Sequence, residues 1–181
     1  MDEKNLIESL RQLDKGALET AFEQYAPILF KYALRLCHDA NEADDVVGEA
    51  FSRLLLQLNA GKGPQDNLRS YLYQTAYHII VDRAREQKHY TPFEVVSNQP
   101  KDESQPPELA EENRILGLIF VAIYKVLTDD QRHVIILRFL EGFDLKETAE
   151  IMEKEVNNIK VIQNRALGRL REALKDEIED N

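Results

Sequence analysis

Four of the chain's 6 prolines fall within one short stretch, and this clustering constrains the fold more than any other feature of the sequence. Between residues 91 and 110, Ser, Asn, Gln, Asp and Glu surround Pro92, Pro100, Pro106 and Pro107. Proline interrupts helices, and a segment this polar cannot bury enough apolar surface to fold. The sequence therefore predicts a flexible linker over residues 91–110 that joins two small domains, residues 1–90 and 111–181.

Both domains are predicted to be helical. With 7 Gly in 181 residues, the chain has too few turn-forming residues for a many-stranded sandwich. Apolar residues instead recur at the three- and four-residue steps of amphipathic helices over residues 18–36, 46–58 and 68–89. Pro27 predicts a kink or a fresh start in the first of these helices, and Asn41 is the predicted N-cap of the second. The predicted fold class is all-α.

The C-terminal domain carries the pattern of a helix-turn-helix motif. Thr128 begins a Thr-x-x-Gln capping box, Asp144 begins an Asp-x-x-Glu box, and Gly142 predicts the end of the helix between them. A short helix over residues 145–152 is followed by a tight turn and by a longer basic helix from Val156. This order of elements is typical of domains that place the second helix in the major groove of DNA.

The longer helix exposes residue types that recognise nucleic acid. Asparagine pairs with adenine, lysine and arginine pair with guanine, and basic side chains also bind phosphates. The residues between the apolar positions of this helix are Asn157, Asn158, Lys160, Asn164, Arg165 and Arg169. An ordinary helical hairpin with a polar face fits the same pattern, so the pattern alone leaves both interpretations open.

A second candidate surface lies at the end of the N-terminal domain, where tyrosines alternate with basic and amide side chains. Aromatic faces stack on unpaired bases and cations bind the backbone, so this composition favours single-stranded nucleic acid. The alternative is that Tyr71, and also Tyr77, are core aromatics, and for Tyr71 the core interpretation is favoured. The residues of this surface are Tyr71, Tyr73, Tyr77, Tyr90, Arg69, Gln74, His78, Arg83, Arg85 and Lys88.

The net charge of −10 argues against a protein that coats nucleic acid by itself. Asp45 and Glu49 share one helix face, where like charges repel, and a negative patch for a basic partner explains this pair better than a metal site does. Two-metal helical bundles need paired Glu-x-x-His motifs, and the sequence has one, Glu86-x-x-His89. Because no nucleophile elbow, phosphate-binding glycine loop or zinc-protease motif is present, we expect no catalytic site, no cofactor and no metal.

Nothing in the sequence predicts a membrane segment. The longest uncharged apolar run, residues 115–124, is well short of the roughly 20 residues that span a bilayer. The acidic start Met1-Asp-Glu-Lys4 leads into no signal-type apolar core. We expect a cytoplasmic protein without membrane insertion.

Three stretches resemble the extracytoplasmic-function type of bacterial RNA polymerase sigma factors. Residues 22–53, from Phe-Glu-Gln-Tyr-Ala-Pro to Asp-Asp-Val-Val-Gly-Glu-Ala-Phe-Ser-Arg, are similar to the family's first conserved domain. Residues 68–83 are similar to the helix that engages the promoter's minus-ten element, and residues 127–166 to the domain that reads the minus-thirty-five element. The three occur in the family's order on both sides of the proline-rich stretch.

The resemblance implies an initiation subunit that binds core RNA polymerase and promoter DNA, helps to open the strands, and is controlled by an anti-sigma factor. It implies polymerase-binding residues on one helix, namely Asp45, Glu49, Arg53 and Gln57. It implies minus-ten contacts from the loop 59–67 and from Arg69, Tyr73, Gln74, Tyr77, His78, Asp82, Arg85 and Lys88. It implies minus-thirty-five contacts from Asn157, Asn158, Lys160, Val161, Asn164, Arg165 and Arg169.

The sequence departs from the family pattern at a few positions. Tyr77 and His78 stand where the family often has Asn or Arg, and Glu153 replaces a glycine that is common in the turn of the helix-turn-helix. Ile162 stands where many members carry a basic residue, and its place in the apolar stripe assigns it to the core.

Two other functions are compatible with parts of the pattern. One is a helix-turn-helix repressor or activator that binds duplex operators without polymerase. The other is a sigma-like decoy that only sequesters a partner.

Overall fold

The computed structural model describes the backbone of residues 2–87 and 107–179 and the side chains of residues 2–86 and 117–175. Within these ranges every regular element is a helix, so the all-α prediction is confirmed. The helices are α1 (Glu3–Arg11), α2 (Lys15–Cys37), α3 (Ala40–Asn59), α4 (Leu68–Gln87), α5 (Pro107–Val126), α6 (Asp129–Ile135), α7 (Leu145–Ile151) and α8 (Val156–Glu179). A π-helical turn, Ile136–Leu140, continues α6.

The N-terminal domain packs α1 to α4 around one apolar core. Tyr25 and Leu29 are buried on either side of Pro27, and α2 continues through the proline as one helix. The fresh start that Pro27 predicted is therefore wrong. A proline inside a helix costs about 3 kcal/mol, and burial of the residues around it offsets that cost.

Helix α3 begins two residues before the sequence predicted. Its N-cap is Asp39, whose side chain accepts a hydrogen bond of 2.8 Å from the backbone N–H of Glu42, so the assignment of Asn41 as N-cap was wrong. A carboxylate also interacts favourably with the positive end of the helix dipole, which explains why Asp39 takes this position.

Helix α4 is buried on two sides. Leu72 and Ile79 face the N-terminal core, and Tyr73 and Tyr77 are also buried, on the side that meets the C-terminal domain. Tyr71, which the sequence favoured for the core, is only half-buried. A helix with neighbours on two sides has no single apolar stripe, so helical periodicity could not separate Tyr71 from Tyr73.

Both predicted capping boxes are present in the C-terminal domain. The Thr128 hydroxyl accepts from the backbone N–H of Gln131 and opens α6, and Asp144 with Glu147 opens α7 in the same way. The chain turns after α7 at Glu153, which has a left-handed backbone with a φ of 51°. Helices α7 and α8 and this turn form the predicted helix-turn-helix.

The π-helical turn determines where Glu141 lies. The backbone N–H of Glu141 donates to the carbonyl of Ile136 at 2.9 Å, and Gly142 follows with a φ of 76°. This conformation favours glycine, as expected for the predicted end of the helix at Gly142. The wider turn shifts Glu141 out of ordinary helical phase, and its side chain reaches the N-terminal domain.

Most of the predicted linker, residues 91–106, lies outside the described residues. Its last four residues, 107–110, form the first turn of α5 instead. Pro107 is the first residue of that helix, a position where proline loses no helical hydrogen bond. The boundaries of the linker and of the two domains stay a prediction.

The two domains share one apolar core, a contact that the sequence pattern did not specify. Ile136, Leu137 and Phe143 join the buried residues of the N-terminal domain, and a smaller second core lies between α5, α6 and α8. His133 is buried at this junction. Its Nδ1 lies 3.0 Å from the Tyr32 hydroxyl, with which it shares a hydrogen bond.

Burial lowers the pKa of His133 from 6.5 to about 4. The nearby carboxylates raise this pKa and the nearby cations lower it, but the loss of water around the ring is the larger effect. The carboxylates are those of Asp129 and Asp130, and the cations are Arg132 and Lys154. The rings of Tyr32 and Tyr77 pack against the imidazole. The junction is thus built around a neutral imidazole.

The cap of α7 gives a first prediction. Asp144→Ala removes the acceptor for two backbone N–H groups, so we expect it to lower the free energy of unfolding by about 1 kcal/mol. Asp2→Ala is the matched control, because Asp2 precedes α1 without making a side-chain cap, and it should cost less than about 0.5 kcal/mol. Urea unfolding followed by circular dichroism measures both. Equal losses would contradict the cap.

The buried imidazole gives a second prediction. A pKa of about 4 in the folded chain means that the stability tied to neutral His133 is complete above pH 6.5 and is lost as the pH falls toward 4. Lowering the pH from 7 to 5 should therefore lower the free energy of unfolding by about 2 kcal/mol through this histidine. His133→Phe keeps a ring at the junction and should lack this component. Urea unfolding of both proteins at pH 7 and pH 5 measures this difference. If the free energy of unfolding fell equally in both, the prediction would be contradicted.

Candidate nucleic-acid interface

Five of the predicted minus-ten residues of α4 lie at the junction with the C-terminal domain. The Tyr73 ring lies between Tyr32, with centroids 5.0 Å apart, and Phe143, 4.8 Å away in an edge-on arrangement. Tyr77 packs edge-on against His133 at 4.8 Å. Both tyrosines that the sequence predicted to contact unpaired bases are therefore covered by another part of the chain.

Glu141 is the centre of the polar contacts at this junction. Its carboxylate accepts hydrogen bonds from Arg35 and from the Tyr73 hydroxyl, the latter at 2.6 Å, and its backbone carbonyl accepts from Arg69. The Glu141 side chain is 8% exposed and the Arg35 side chain 30% exposed, so the ion pair is largely shielded from water. Burial and the bond to Glu141 raise the pKa of Tyr73, which keeps its hydroxyl a donor.

The turn of the helix-turn-helix makes a second set of contacts with α4. Gln74 donates to the Glu150 carbonyl at 3.3 Å and to the Glu153 carboxylate at 3.2 Å. His78 Nε2 lies 3.5 Å from the other Glu153 oxygen. The structure thus brings five predicted minus-ten residues against the C-terminal domain: Arg69, Tyr73, Gln74, Tyr77 and His78.

The remaining predicted minus-ten positions differ in their surroundings. Asp82 and Arg85 are exposed and 3.6 Å from each other, whereas Lys88 lies outside the described residues. The loop 59–67 borders a surface cavity of about 210 Å³ lined by Arg11, Leu58, Gly61, Lys62, Gly63 and Gln65. Gly61 and Gly63 have φ angles of 69° and 126°, which glycine adopts without strain.

Helix α8 presents its predicted DNA contacts to solvent. Ile159 and Ala166 are buried and Ile162 is half-buried, which is where the sequence placed them. Arg169 is exposed and donates to Gln131 at 3.2 Å, so it also ties α8 to α6. The other predicted DNA contacts of α8 are also exposed, namely Asn157, Asn158, Lys160, Val161, Asn164 and Arg165.

Helix α3 carries the predicted polymerase contacts on an open face. Asp45, Arg53 and Gln57 are exposed. Glu49 is half-buried and accepts from Arg53 and, at 2.9 Å, from Arg83 of α4. Partial burial acts to raise the pKa of Glu49, but the hydrogen bonds from these arginines outweigh it and hold the pKa below its ordinary value.

The two arginines bound to Glu49 reduce its repulsion with Asp45. Because two guanidinium groups neutralise Glu49, the negative charge left on this face belongs mainly to Asp45 and its neighbour Asp44. Glu49 is thus part of a bridge between α3 and α4, and Asp45 stays exposed on α3.

Sequence reasoning missed the residues that hold the two domains together, Tyr32, Arg35, His133 and Glu141. A histidine directly before the apolar run Val134 to Leu137 was a usable signal, because a polar ring next to buried residues needs a partner. Arg35 and Glu141 carried no local signal, since they are 106 residues apart in the chain.

Two further observations concern the described part of the chain. None of its helices has both the length and the apolar character to cross a membrane. Its His, Cys, Asp and Glu side chains form no group of three or more placed to hold a metal ion.

Comparison with known proteins identifies the family. The model of sigma-70 region 2 matches residues 21–90, and the model of sigma-70 region 4 matches residues 125–172. The chain is 28% identical over 169 residues to the ECF RNA polymerase sigma factor SigX of Bacillus subtilis, covering 88% of this chain and 86% of that protein.

Two solved structures share the fold. The sigma factor RpoE of Bartonella quintana, in complex with the anti-sigma factor NepR, has a TM-score of 0.65 at 24% identity, covering 87% of this chain and 96% of that one. CnrH in complex with the cytosolic domain of CnrY has a TM-score of 0.68 at 17% identity, covering 96% and 97%. With regions 2 and 4 matched in order, the chain belongs to the sigma-70 family of RNA polymerase sigma factors, and its relatives place it in the extracytoplasmic-function group.

Proposed function

We propose that this sigma factor reads a two-part promoter with two separate surfaces while a third holds it on core RNA polymerase. In this proposal α8 reads the minus-thirty-five element, α4 with the loop 59–67 holds the opened minus-ten strand, and α3 docks on the polymerase. The protein acts in the cytoplasm, supplies binding energy for strand opening and carries out no catalysis itself.

The observation that carries the proposal is the division of α8 into two faces. Its apolar side chains are buried against α6 and α7, and its amide and basic side chains point away from them. In a helix-turn-helix this outer face enters the major groove, where Asn158 and Arg165 have the chemistry to pair with adenine and guanine. Lys160 adds a cation for a base edge or a phosphate.

The surfaces assigned to the opened strand have the matching chemistry. Separating the strands costs a few kcal/mol for each unstacked step, and aromatic stacking on the protein returns about 1–3 kcal/mol per base. Tyr73 and Tyr77 supply aromatic faces, and Arg69 supplies a cation. The loop before α4 adds a cavity beside Gly63. No nucleotide hydrolysis is required for this exchange.

The charge of the chain supports promoter binding only within the polymerase complex. A net charge of −10 repels duplex DNA, so the free chain lacks the electrostatic attraction on which unassisted binding depends. On the polymerase the two DNA-binding surfaces are held near the promoter, and the second contact becomes intramolecular. A helix-turn-helix regulator that acts alone lacks this requirement.

We also propose that an anti-sigma factor binds this chain. The two solved structures that share its fold, sigma factor RpoE and CnrH, are each complexes with a second protein, named for RpoE as an anti-sigma factor. A partner of this kind would make the sigma factor available only when a signal releases it.

Transcription with purified core polymerase tests the DNA-reading face. We expect Lys160→Ala with Arg165→Ala to lower promoter-dependent transcription at least about tenfold, because each lost contact is worth about 1–3 kcal/mol, while polymerase binding is retained. Lys125→Ala with Arg171→Ala removes the same charge from exposed positions outside the reading face and should leave transcription within about twofold.

Four outcomes contradict this proposal. Unchanged transcription in the Lys160 and Arg165 variant would contradict the assignment of the reading face, and a chain that binds polymerase without supporting transcription would favour the decoy. A shift of duplex DNA by the free chain at moderate salt would favour the regulator that acts alone. Transcription that never depends on the chain, on promoters selected by sequencing of polymerase-bound DNA, would exclude a sigma factor.

The docking face is tested by reversing one charge. Asp45→Lys should weaken binding to core polymerase about tenfold, since a rim charge across an interface becomes repulsive. The same change places a cation four residues from Glu49 and removes a like-charge pair, so the fold should not be weakened. Glu8→Lys reverses one exposed charge on α1, outside the residues assigned to the docking face, and is the matched control. Fluorescence anisotropy with labelled chain measures both, and equal losses would contradict the assignment to Asp45.

A further inference from the structure

We propose that the packed arrangement of the two domains is a self-inhibited state in which Glu141 and Glu153 of the C-terminal domain occupy the minus-ten surface of α4 in place of DNA. The inference rests on the proposed function of α4. It adds an order of events: polymerase binds the closed chain through α3, and the minus-ten surface is freed afterwards.

The first argument is that the side chains assigned to the opened strand already have partners. The Tyr73 hydroxyl donates to Glu141, and the Tyr73 ring packs against the rings of Tyr32 and Phe143. Gln74 and His78 contact Glu153. The Tyr73 ring is fully buried, so DNA can reach it only after the C-terminal domain has moved away. Gln74 and His78 are partly exposed, and DNA would have to replace Glu153 as their polar partner.

The second argument is chemical. Glu141 presents two carboxylate oxygens and a carbonyl to an arginine, a tyrosine hydroxyl and a second arginine, which are donors that commonly bind the phosphates of nucleic acid. The Arg69 guanidinium lies 4.1 Å from the centre of the Phe143 ring, stacked as it could be on a base. The C-terminal domain therefore offers α4 an anion and an aromatic ring, the two chemical components of a DNA strand.

The third argument comes from the backbone of Glu153. A left-handed φ of 51° disfavours a residue with a side chain, and glycine would adopt it without strain. Glutamate adopts this conformation here, and its carboxylate contacts Gln74 and His78 of α4. The strained residue of the turn is therefore one that contacts the minus-ten surface.

The fourth argument is what the closed arrangement leaves open. The α3 face with Asp45, Arg53 and Gln57 is exposed, and so is the α8 face with Asn158 and Arg165. The covered part of the minus-ten surface is its aromatic centre at Tyr73 and Tyr77, whereas Asp82 and Arg85 stay exposed. Polymerase can thus bind first, and the free chain lacks accessible aromatic rings of α4 on which unpaired bases would stack.

A distance measurement tests closure without polymerase or DNA. Spin labels on Lys15→Cys and Lys146→Cys, whose side chains are 91% and 80% exposed, report the separation of the domains in a Cys37→Ala background. We expect one narrow distance distribution. Glu141→Ala with Glu153→Gly should increase the ratio of open to closed chains roughly tenfold or more, because it removes the charge-assisted bonds while glycine suits the turn.

Controls separate the contacts from a general effect of charge. Glu8→Ala with Glu172→Ala likewise removes two carboxylates, but these are exposed and lie outside the contacts named above. This variant should leave the distance distribution unchanged. Arg35→Glu and Glu141→Arg should each open the chain, and the double variant should close it again. A broad distribution in the unaltered chain, no change in the Glu141 and Glu153 variant, or no recovery in the double variant would overturn the proposal.

Binding measurements then link closure to function. A fluorescent pool of single-stranded 12-mer DNA should bind the Glu141 and Glu153 variant at least about tenfold more tightly than the unaltered chain, whereas affinity for core polymerase should stay within about twofold. Equal DNA binding by both proteins would overturn self-inhibition. If the chain failed to bind polymerase at all, the proposed function would fail while the distance measurement still decided whether the chain closes.

Discussion

The packing of Tyr73 between Tyr32 and Phe143 is the contact around which the rest of the molecule is arranged. It joins α2, α4 and the segment after α6, and it makes α4 an interior helix of the whole protein. Without the C-terminal domain, α4 would expose two tyrosines beside an arginine. An aromatic and cationic surface of that kind needs a covering, and both another protein segment and unpaired bases can provide it.

The local features of the fold were predictable because each depends on residues within one helical turn. The boxes at Thr128 and Asp144 require only residues three positions apart, and the left-handed residue Gly142 requires only its own lack of a side chain. The start of α3 was misplaced because Asp39 and Asn41 can both cap a helix and the sequence does not rank them. The continuation of α2 through Pro27 depends on tertiary burial, which sequence patterns report poorly.

The contacts between the domains were not predictable for a different physical reason. Helical periodicity marks a face as apolar but does not say which element covers it. The pattern favoured a core role for Tyr71, which is half-buried against the core, and did not show that Tyr73 is fully buried. The position of Glu141 depends on a π-helical turn that shifts it out of phase, and its partner Arg35 lies 106 residues away. The exposed face of α8, by contrast, was predictable, because the residues between its apolar positions point away from the core. That these residues contact DNA stays a prediction.

A self-inhibited sigma factor needs a closed state that is stable yet replaceable, and the junction has the composition for this. Tyrosine hydroxyls, arginines and aromatic faces bind a carboxylate and a phenyl ring with nearly the same chemistry that they offer to a phosphate and a base. Opening therefore exchanges one set of partners for another, and the free-energy difference between the two states stays small compared with either set of contacts. A modest additional bias suffices to move such an equilibrium, and polymerase binding through the exposed α3 face can supply it if the polymerase holds the C-terminal domain at a distance from α4.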